Sequence, residues 1–245
     1  AAGGALPPAY GRAERARGVM ARVSAPKKQT PKEGAKRARA DMYRRLIVEA
    51  AEPVFAEQGF DAAKMQDIAQ GAGIALGTLY SVFPGKSELY AAIQEQRGRE
   101  MLEGIYSAIQ GYTSVADACQ RGIEAYVRVL VERPHYLRMH LRDGLSWTDP
   151  TTMRSGVELA IWERGMSLAV DLLRMGIERG FLLPNRPELV LKIMVATHQV
   201  QLSDWLERGA QAGEVDGLIA DMQRHFVRAF VSAPDELKRA SGDRT

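Results

Sequence analysis

The sequence lacks the features that secreted and membrane proteins need. Its single cysteine, Cys119, cannot form a disulfide within the chain, so a reducing compartment such as the cytoplasm is expected. No apolar run reaches the roughly 20 residues of a membrane-spanning helix. The start of the chain is rich in Ala, Gly and Arg and has no apolar segment of the kind found in secretory signals. These absences predict a soluble cytoplasmic protein without membrane contact.

Signals for metal binding and catalysis are equally scarce. The four histidines are His135, His140, His198 and His225. None lies in a zinc-binding HExxH pattern, and the first two are five residues apart, whereas that pattern requires four. No catalytic motif surrounds the cysteine, and no phosphate-binding glycine loop follows a strand. We therefore expect no catalytic residue, no metal, no cofactor and no enzymatic activity.

Positive charge is concentrated near the N-terminus. Residues 1–40 contain ten basic and two acidic side chains, a net charge of +8, whereas residues 41–245 have a net charge of −5. Four prolines and few large apolar residues predict that residues 1–37 form a disordered basic tail. Such a tail indicates a polyanionic partner, and the alternative is a solvated tail that contacts nothing. Met20 is a plausible natural start, with residues 1–19 upstream of it.

From residue 38 onward the sequence predicts helices. Apolar residues recur at intervals of three and four, and the β-branched alternation typical of strands is missing. Pro53 is expected to kink the first helix, and Gly59 is expected to end it. Asp61 is expected to cap the next helix. After the short helices, six further helices are predicted at residues 88–111, 115–132, 134–142, 154–179, 187–207 and 214–232.

The last two of these helices suggest how the chain could assemble. Helix 187–207 is apolar on more than one face, and helix 214–232 has one apolar stripe. Together with their symmetry mates they could form the four-helix seam of a homodimer. The alternative is that both helices belong to the core of a monomer.

Two short helices, at about residues 61–70 and 74–83, are joined by the turn Gly71-Ala72-Gly73. A glycine-joined helix pair within about 20 residues is the geometry of a DNA-binding helix-turn-helix, whose second helix enters the major groove. Helix pairs also occur throughout all-α proteins, so the spacing alone does not establish DNA binding.

The residues of this segment resemble the signature of the tetracycline-repressor (TetR) family of transcriptional regulators. The resemblance covers about residues 42–93 and is carried by FAEQGF at 55–60, DIAQGAG at 67–73 and IALGTLYSVFPGKSEL at 74–89. It implies an all-α fold with a three-helix head followed by a larger helical bundle for ligand binding and dimerisation. The expected domains are a tail at 1–37, the head at 38–92, the bundle at 93–233 and a polar C-terminal tail at 234–245.

Eight residues are candidates for DNA contact: Lys64, Gln66, Leu76, Gly77, Thr78, Tyr80, Ser81 and Lys86. Gly77 allows the recognition helix to approach the duplex closely. The hydroxyls of Thr78 and Tyr80 can donate to phosphates, and Lys86 can pair with another phosphate, as the family's lysine does. Leu76 and Ser81 can contact bases, whereas Lys64 and Gln66 can reach base edges or phosphates.

The sequence departs from the family pattern at two positions. Ala63-Lys64 stands where a threonine pair commonly opens the supporting helix, and Ala75 stands where a polar cap is common. Both differences concern base specificity rather than the fold.

The bundle contains candidates for an inducer pocket. These are the large, adaptable side chains Tyr126, Tyr136, Met139, Trp162 and Met166, which lie on separate predicted helices. His135, Arg138 or His140 could supply a polar anchor. The alternative is that these side chains form ordinary core.

Together these patterns predict a sequence-specific DNA-binding transcriptional regulator. The family resemblance favours a homodimeric repressor that a small-molecule inducer releases from a pseudo-palindromic operator. One alternative is a DNA-binding protein without a ligand. A less favoured one is an enzyme or scaffold that carries a helix-turn-helix head.

Overall fold

A computed structural model describes residues 31–142 and 156–232 of the chain. Within these residues the structure is α-helical and has no strand, apart from one isolated bridge between Leu182 and Val231. The prediction of an all-α fold is confirmed. The helices are α1 Pro31–Ala62, α2 Met65–Gly71, α3 Leu76–Val82, α4 Lys86–Ala108, α5 Val115–Val131, α6 Pro134–Arg142, α7 Gly156–Glu178, α8 Pro187–Glu207 and α9 Val215–Phe230.

The chain divides into two compact units, Ala1–Arg44 and Arg45–Thr245. The described part of the first unit is helical from Pro31, so the prediction that disorder extends to residue 37 is wrong. Proline suits the first position of a helix, and the Ala, Lys, Arg and Glu residues that follow favour a helix even without an apolar stripe. Residues 1–30 of the predicted basic tail lie outside the described residues, as does the predicted C-terminal tail.

The break in α1 lies at Gly59 rather than at Pro53. The backbone keeps helical torsion angles at Pro53, whereas Gly59 has φ 79° and ψ 170°. Burial of Ala51 and Phe55 holds the turns on either side of the proline. At Gly59 the positive φ favours glycine, and an added Cβ would lie 3.1 Å from Nη1 of Arg142. The chain therefore turns sharply at this glycine.

The helix-turn-helix is held by a small apolar core. Ile68 of α2, Leu79 of α3 and the following Phe83 are at most 2% exposed. The ring of Tyr90 packs edge-on against Phe55, with centroids 5.0 Å apart, and against Phe60 at 5.2 Å. The ring contacts fix the start of α4 against the end of α1, and α2 and α3 pack against each other.

Helix α4 runs without interruption from the head into the bundle. The predicted domain boundary between residues 92 and 93 falls inside this helix. Its first half buries Leu89 and Ile93, while its second half packs against α5 and α7. Helix α8 packs between α7 and α9. No helix in the described ranges is long and apolar enough to cross a bilayer.

Candidate nucleic-acid interface and ligand cavity

Helix α3 has one face in the core and one face in solvent. Leu79 is buried, whereas Gly77, Tyr80 and Ser81 are exposed. The Tyr80 residue is 45% exposed. Leu76 and Thr78 lie half-buried at the start of the helix. Five of the eight predicted DNA contacts thus lie on one short helix, three of them with full access to a partner.

Gly77 is not required by the fold. A Cβ added at this position would meet no atom within 4 Å, and the backbone does not have a positive φ. Glycine in a helix is generally less stable than alanine because it loses more backbone entropy on folding. A requirement from outside the protomer, such as close approach to a duplex, explains the glycine better than internal packing does.

The first turn of α3 leaves backbone donors available. Ala75 occupies the N-cap position and has no side-chain oxygen, so no side chain caps the helix. The amides of Leu76 and Gly77 come at the start of the helix, where N–H groups have no intrahelical acceptor. Such amides can donate to a phosphate oxygen, as helix N-termini commonly do. With Ala75 at the N-cap position, no side chain of the helix accepts a hydrogen bond from these amides.

Ser81 is more constrained than the sequence suggests. Its Oγ donates to the carbonyl oxygen of Thr78 at 2.6 Å. The hydroxyl proton is thus used within α3, and Ser81 can contact a base as an acceptor.

Lys64 and Gln66 flank the start of α2 with exposed side chains. Helix α2 begins at Met65 with Lys64 as its N-cap residue and without a side-chain cap. The predicted cap by Asp61 is therefore wrong, because Asp61 still belongs to α1. Ala63, one of the departures from the family pattern, is 4% exposed and fills a core position.

Lys86 has partners inside the head that the sequence did not reveal. Its Nζ donates to the carbonyl oxygens of Asp61 at 2.8 Å and Ala63 at 3.2 Å. The same ammonium lies 4.8 Å from the ring centroid of Phe60. An ammonium has three protons, so one remains for a phosphate. Lys86 thus fixes the chain between α1 and α2, in addition to the contact predicted for it.

A cavity of about 140 Å³ lies among α4, α5, α7 and α8. Of the five predicted pocket residues, Tyr126 lines it. Tyr136 and Met139 are each 1% exposed and pack in the core of the protomer instead. Met166 lies half-buried on α7 outside the lining. The side chain of Trp162 lies outside the described residues.

The polar groups near the cavity are neutral at physiological pH. The hydroxyl of Tyr126 lies 3.2 Å from Nε2 of His140. Burial lowers the pKa of His140 to about 4. Burial, with a smaller contribution from His225, also lowers the pKa of His198 to about 4. Burial raises the pKa of the Cys119 thiol to about 12. In the two described ranges no group of three His, Cys, Asp or Glu residues could hold a metal ion.

Comparison with known proteins identifies the head. Residues 47–93 match the family model of bacterial regulatory proteins, tetR family. The chain is 31% identical over 86 residues to the transcriptional activator FasR of Mycolicibacterium smegmatis, covering 35% of this chain and 39% of FasR. It is 27% identical over 205 residues to the A-factor receptor protein of Streptomyces griseus, covering 79% of this chain and 65% of that protein. The matches therefore span less than two thirds of either relative.

The fold of the whole described chain agrees with this match. The fatty acid degradation regulator FadR from Bacillus halodurans superimposes with a TM-score of 0.64 at 18% identity, over 83% of this chain and 98% of that chain. The head of the chain therefore matches the TetR-family model, and the likeness of the rest of the chain to this structure is one of fold.

Buried polar contacts connect the head to the bundle. Nε of Arg97 in α4 donates to Oε1 of Glu52 in α1 at 2.6 Å, and both side chains are less than 10% exposed. Burial alone would lower the pKa of Arg97, but its hydrogen bonds to Glu100 and Glu52 raise the pKa above its usual value. From α6, Nη1 of Arg142 donates to the carbonyl oxygen of Phe55 at 3.2 Å. Two separate elements of the bundle thus hold α1.

Gly77 is exposed on α3, and a substitution there separates a requirement of the fold from a requirement of DNA binding. Gly77→Ala is expected to leave the free energy of unfolding unchanged or raise it by up to about 1 kcal/mol. It is expected to weaken DNA binding at least about tenfold, because the methyl group would occupy space next to the backbone of the duplex. Urea unfolding and fluorescence anisotropy measure the two effects. Ser107→Ala, at an exposed position of α4 outside the proposed interface, is the control, and equal DNA affinity of both variants would contradict the assigned face.

The two lysines of the head should behave differently. Lys86→Met removes the donor to two carbonyl groups and is expected to lower the free energy of unfolding by about 1–2 kcal/mol. Lys64→Met removes an exposed charge and should leave stability unchanged. It should reduce the slope of the logarithm of the DNA-binding constant against the logarithm of the salt concentration by about one. Thermal unfolding and binding at several salt concentrations distinguish the two roles. Equal stability loss in both variants would be incompatible with these contacts.

The neutral buried histidines predict acid sensitivity. An unfolded histidine protonates near pH 6.5, whereas His140 and His198 resist protonation in the folded chain down to about pH 4. Acidification through this window therefore stabilises the unfolded chain, by on the order of 2 kcal/mol per histidine at pH 5 relative to pH 7. Urea unfolding at both pH values measures the loss, and His198→Gln should reduce it. Equal stability at pH 5 and pH 7 would refute the prediction.

Proposed function

We propose that the chain is a sequence-specific DNA-binding transcriptional regulator, and that a small molecule in the bundle cavity releases it from its operator. The observation that carries this proposal is the outer face of α2 and α3. It combines exposed Lys64, Gln66 and Tyr80 with a glycine that the fold itself does not require. Hydroxyl, ammonium and backbone amide donors in one strip are what a phosphate backbone needs for docking.

Docking through this face assigns different tasks to the two helices. Helix α3 is the element that enters the major groove, with Leu76 and Ser81 near base edges. Helix α2 supports it and presents Lys64 to the backbone. Lys86 keeps the loop before α2 in place through its two carbonyl contacts. The face supports binding to double-stranded DNA without any contribution from the residues outside the described ranges.

A two-fold dimer would present two such faces to one duplex. Helix α8 exposes an apolar stripe in which Leu189 is 41%, Ile193 is 42% and Val200 is 70% exposed. Their intervals of four and seven residues place them on one side of the helix. The apolar stripe of α9 is buried within the protomer, with Ile219, Met222 and Phe226 at most 5% exposed. The exposed stripe of α8 supports a dimer seam there and disfavours the alternative in which both helices are wholly monomer core.

The cavity supports ligand control of DNA binding. A DNA-binding protein without a ligand is expected to have a filled bundle, whereas this bundle contains a partly open apolar cavity of about 140 Å³. Leu102 and Ile105 of α4 line that space, and the same helix carries Leu89 and Tyr90 in the head core. A ligand that displaces α4 would therefore change the position of the head. To shift the ratio of DNA-competent to released dimers from 99:1 to 1:99, the ligand must bind the released form more tightly than the DNA-competent form by about 5.5 kcal/mol.

The relatives support regulation rather than enzymatic activity, but they do not share one sign of regulation. FasR is named an activator, whereas KstR2 of Mycobacterium tuberculosis, 26% identical over 147 residues, is named a repressor. We favour repression for this chain because the cavity adjoins the helix that carries the head, so that a bound ligand would disturb a DNA-competent arrangement. FadR of Bacillus halodurans regulates fatty acid degradation, but at 18% identity the likeness is one of fold and does not extend to the ligand.

Selection of bound sequences from a random pool of DNA duplexes tests the proposal. The expected product is a pseudo-palindrome whose half-site centres lie about 34 Å apart, one turn of the duplex. Tyr80→Phe should weaken binding to the selected site and to random DNA alike, since a phosphate contact carries no sequence information. Recovery of no shared sequence from the pool would contradict sequence-specific binding.

The dimer seam has its own test. Val200→Glu places a charge in the exposed apolar stripe and is expected to convert the dimer to a monomer at micromolar concentration. DNA affinity should fall at least about tenfold, because each protomer then binds its half-site alone. Tyr106→Glu, at an exposed aromatic residue of α4, is the control and should remain dimeric. Analytical ultracentrifugation measures the assembly, and a dimeric Val200→Glu variant would exclude α8 as the seam.

A further inference from the structure

We infer that the bundle cavity selects an uncharged ligand, with a compact apolar body and one oxygen that hydrogen-bonds to Tyr126 and His198. The regulatory consequence of this inference rests on the proposed function. The binding preference itself concerns the cavity alone and can be measured without DNA.

Among the described residues the lining contains no Asp, Glu, Lys or Arg. It consists of Leu, Ile, Val, Ala, Gly and Met residues together with Cys119, Tyr126 and His198. A carboxylate or ammonium group in this space would lose its hydration without gaining a counter-charge, which is strongly unfavourable.

The histidine at the wall does not supply that counter-charge. His198 is 5% exposed, and its burial among apolar residues lowers its pKa to about 4. The ring of Tyr126 packs against it, with centroids 5.9 Å apart. The nearby histidine His225 on α9 is exposed and is hydrogen-bonded to Gln201. At neutral pH the imidazole is a neutral group with one donor and one acceptor nitrogen.

His198 is also the polar group that a ligand could satisfy. His198 is 5% exposed and lines the cavity, so its neutral imidazole can make a hydrogen bond to a group inside the cavity. The neighbouring Tyr126 hydroxyl uses one interaction with His140 and keeps further hydrogen-bonding capacity. A single hydroxyl or carbonyl oxygen within reach of both side chains would hydrogen-bond to both. A few polar groups in the wall of an otherwise apolar cavity are what fixes a ligand with one polar atom.

The size of the cavity limits the apolar part of the ligand. An engineered apolar cavity of about 150 Å³ in another protein holds one benzene molecule, and this cavity measures about 140 Å³. One six-membered ring with a short substituent therefore fits the cavity without movement of the helices. A larger ligand has to separate α4 from α7. These helices are in close contact at Gly165, where an added Cβ would lie 2.7 Å from Cδ2 of Leu102.

Three probes that differ mainly in charge test the inference: cyclohexylmethanol, cyclohexylmethylammonium and cyclohexanecarboxylate. Isothermal titration of the full chain at pH 7.5, without DNA, is expected to show binding of the alcohol. Binding of the two ions should be at least about a hundredfold weaker, owing to the uncompensated desolvation of their charges. Equal affinity for the carboxylate and the alcohol would overturn the inference, and so would the absence of binding by all three probes.

Variants of the chain locate the binding. Gly122→Leu fills the cavity from α5, where a Cβ has ordinary contact with Ile109 at 3.8 Å, and should abolish binding of the alcohol. Gly122→Ala adds one carbon and should weaken it far less. His198→Phe should weaken binding of cyclohexylmethanol about tenfold but leave binding of methylcyclohexane nearly unchanged, because the hydrocarbon makes no hydrogen bond. Parallel loss for both molecules would contradict the polar anchor.

The outcome is distinguishable from failure of the proposed function. Selection of an operator and its affinity for the ligand-free protein do not depend on what the cavity binds. A chain that selects an operator but binds the carboxylate refutes the ligand class alone. A chain that binds the alcohol but selects no operator refutes the regulator and leaves the ligand class supported.

Discussion

The ion pair between Arg97 and Glu52 is shielded from water and joins the two parts of the molecule that the function needs. Arg97 lies in the middle of α4, and Glu52 lies in α1 of the head. A buried pair of this kind adds little net stability because both charges lose hydration, but removing one partner leaves the other uncompensated at a cost of about 3–5 kcal/mol. The pair therefore fixes the relative position of α1 and α4 more than it stabilises the fold.

Helix α4 contributes both to the core of the head and to the wall of the bundle cavity. Its first turns carry Leu89 and Tyr90 into the head, and its later turns carry Leu102 and Ile105 to the cavity wall. Arg142 of α6 holds the end of α1 from a second side. A change in the bundle that moves α4 or α6 thus reaches the head through packed contacts, without any flexible connection between the two sites.

Local sequence patterns predicted much of this structure. The glycine turn at 71–73 and the residues from Ile74 to Leu89 located the helix-turn-helix, and the apolar periodicity gave helices that agree with α5, α6, α8 and α9 within a few residues. Prolines and glycines marked the ends of these helices, since they interrupt backbone hydrogen bonding or favour a positive φ. Such signals lie within a few residues of the structure that they predict.

The parts that were missed depend on residues far apart in the sequence. Lys86 contacts carbonyl groups 23 and 25 residues away, and nothing in its local pattern distinguishes that role from a phosphate contact. The cavity is lined mainly by leucine, isoleucine, valine and alanine, which look identical to core residues in a sequence. Large aromatic residues and methionines suggested a pocket, but Tyr136 and Met139 pack tightly because their neighbours leave them no space.

Occupancy of the cavity and binding of the duplex are expected to oppose each other through α4. Coupling of two binding sites is reciprocal, so each ligand must weaken the other by the same factor. The most direct measurement is the affinity of the chain for cyclohexylmethanol, first free and then saturated with its selected operator. We expect the operator complex to bind the alcohol more weakly, by the factor with which the alcohol weakens operator binding. Equal affinity for the alcohol in both states would contradict the account.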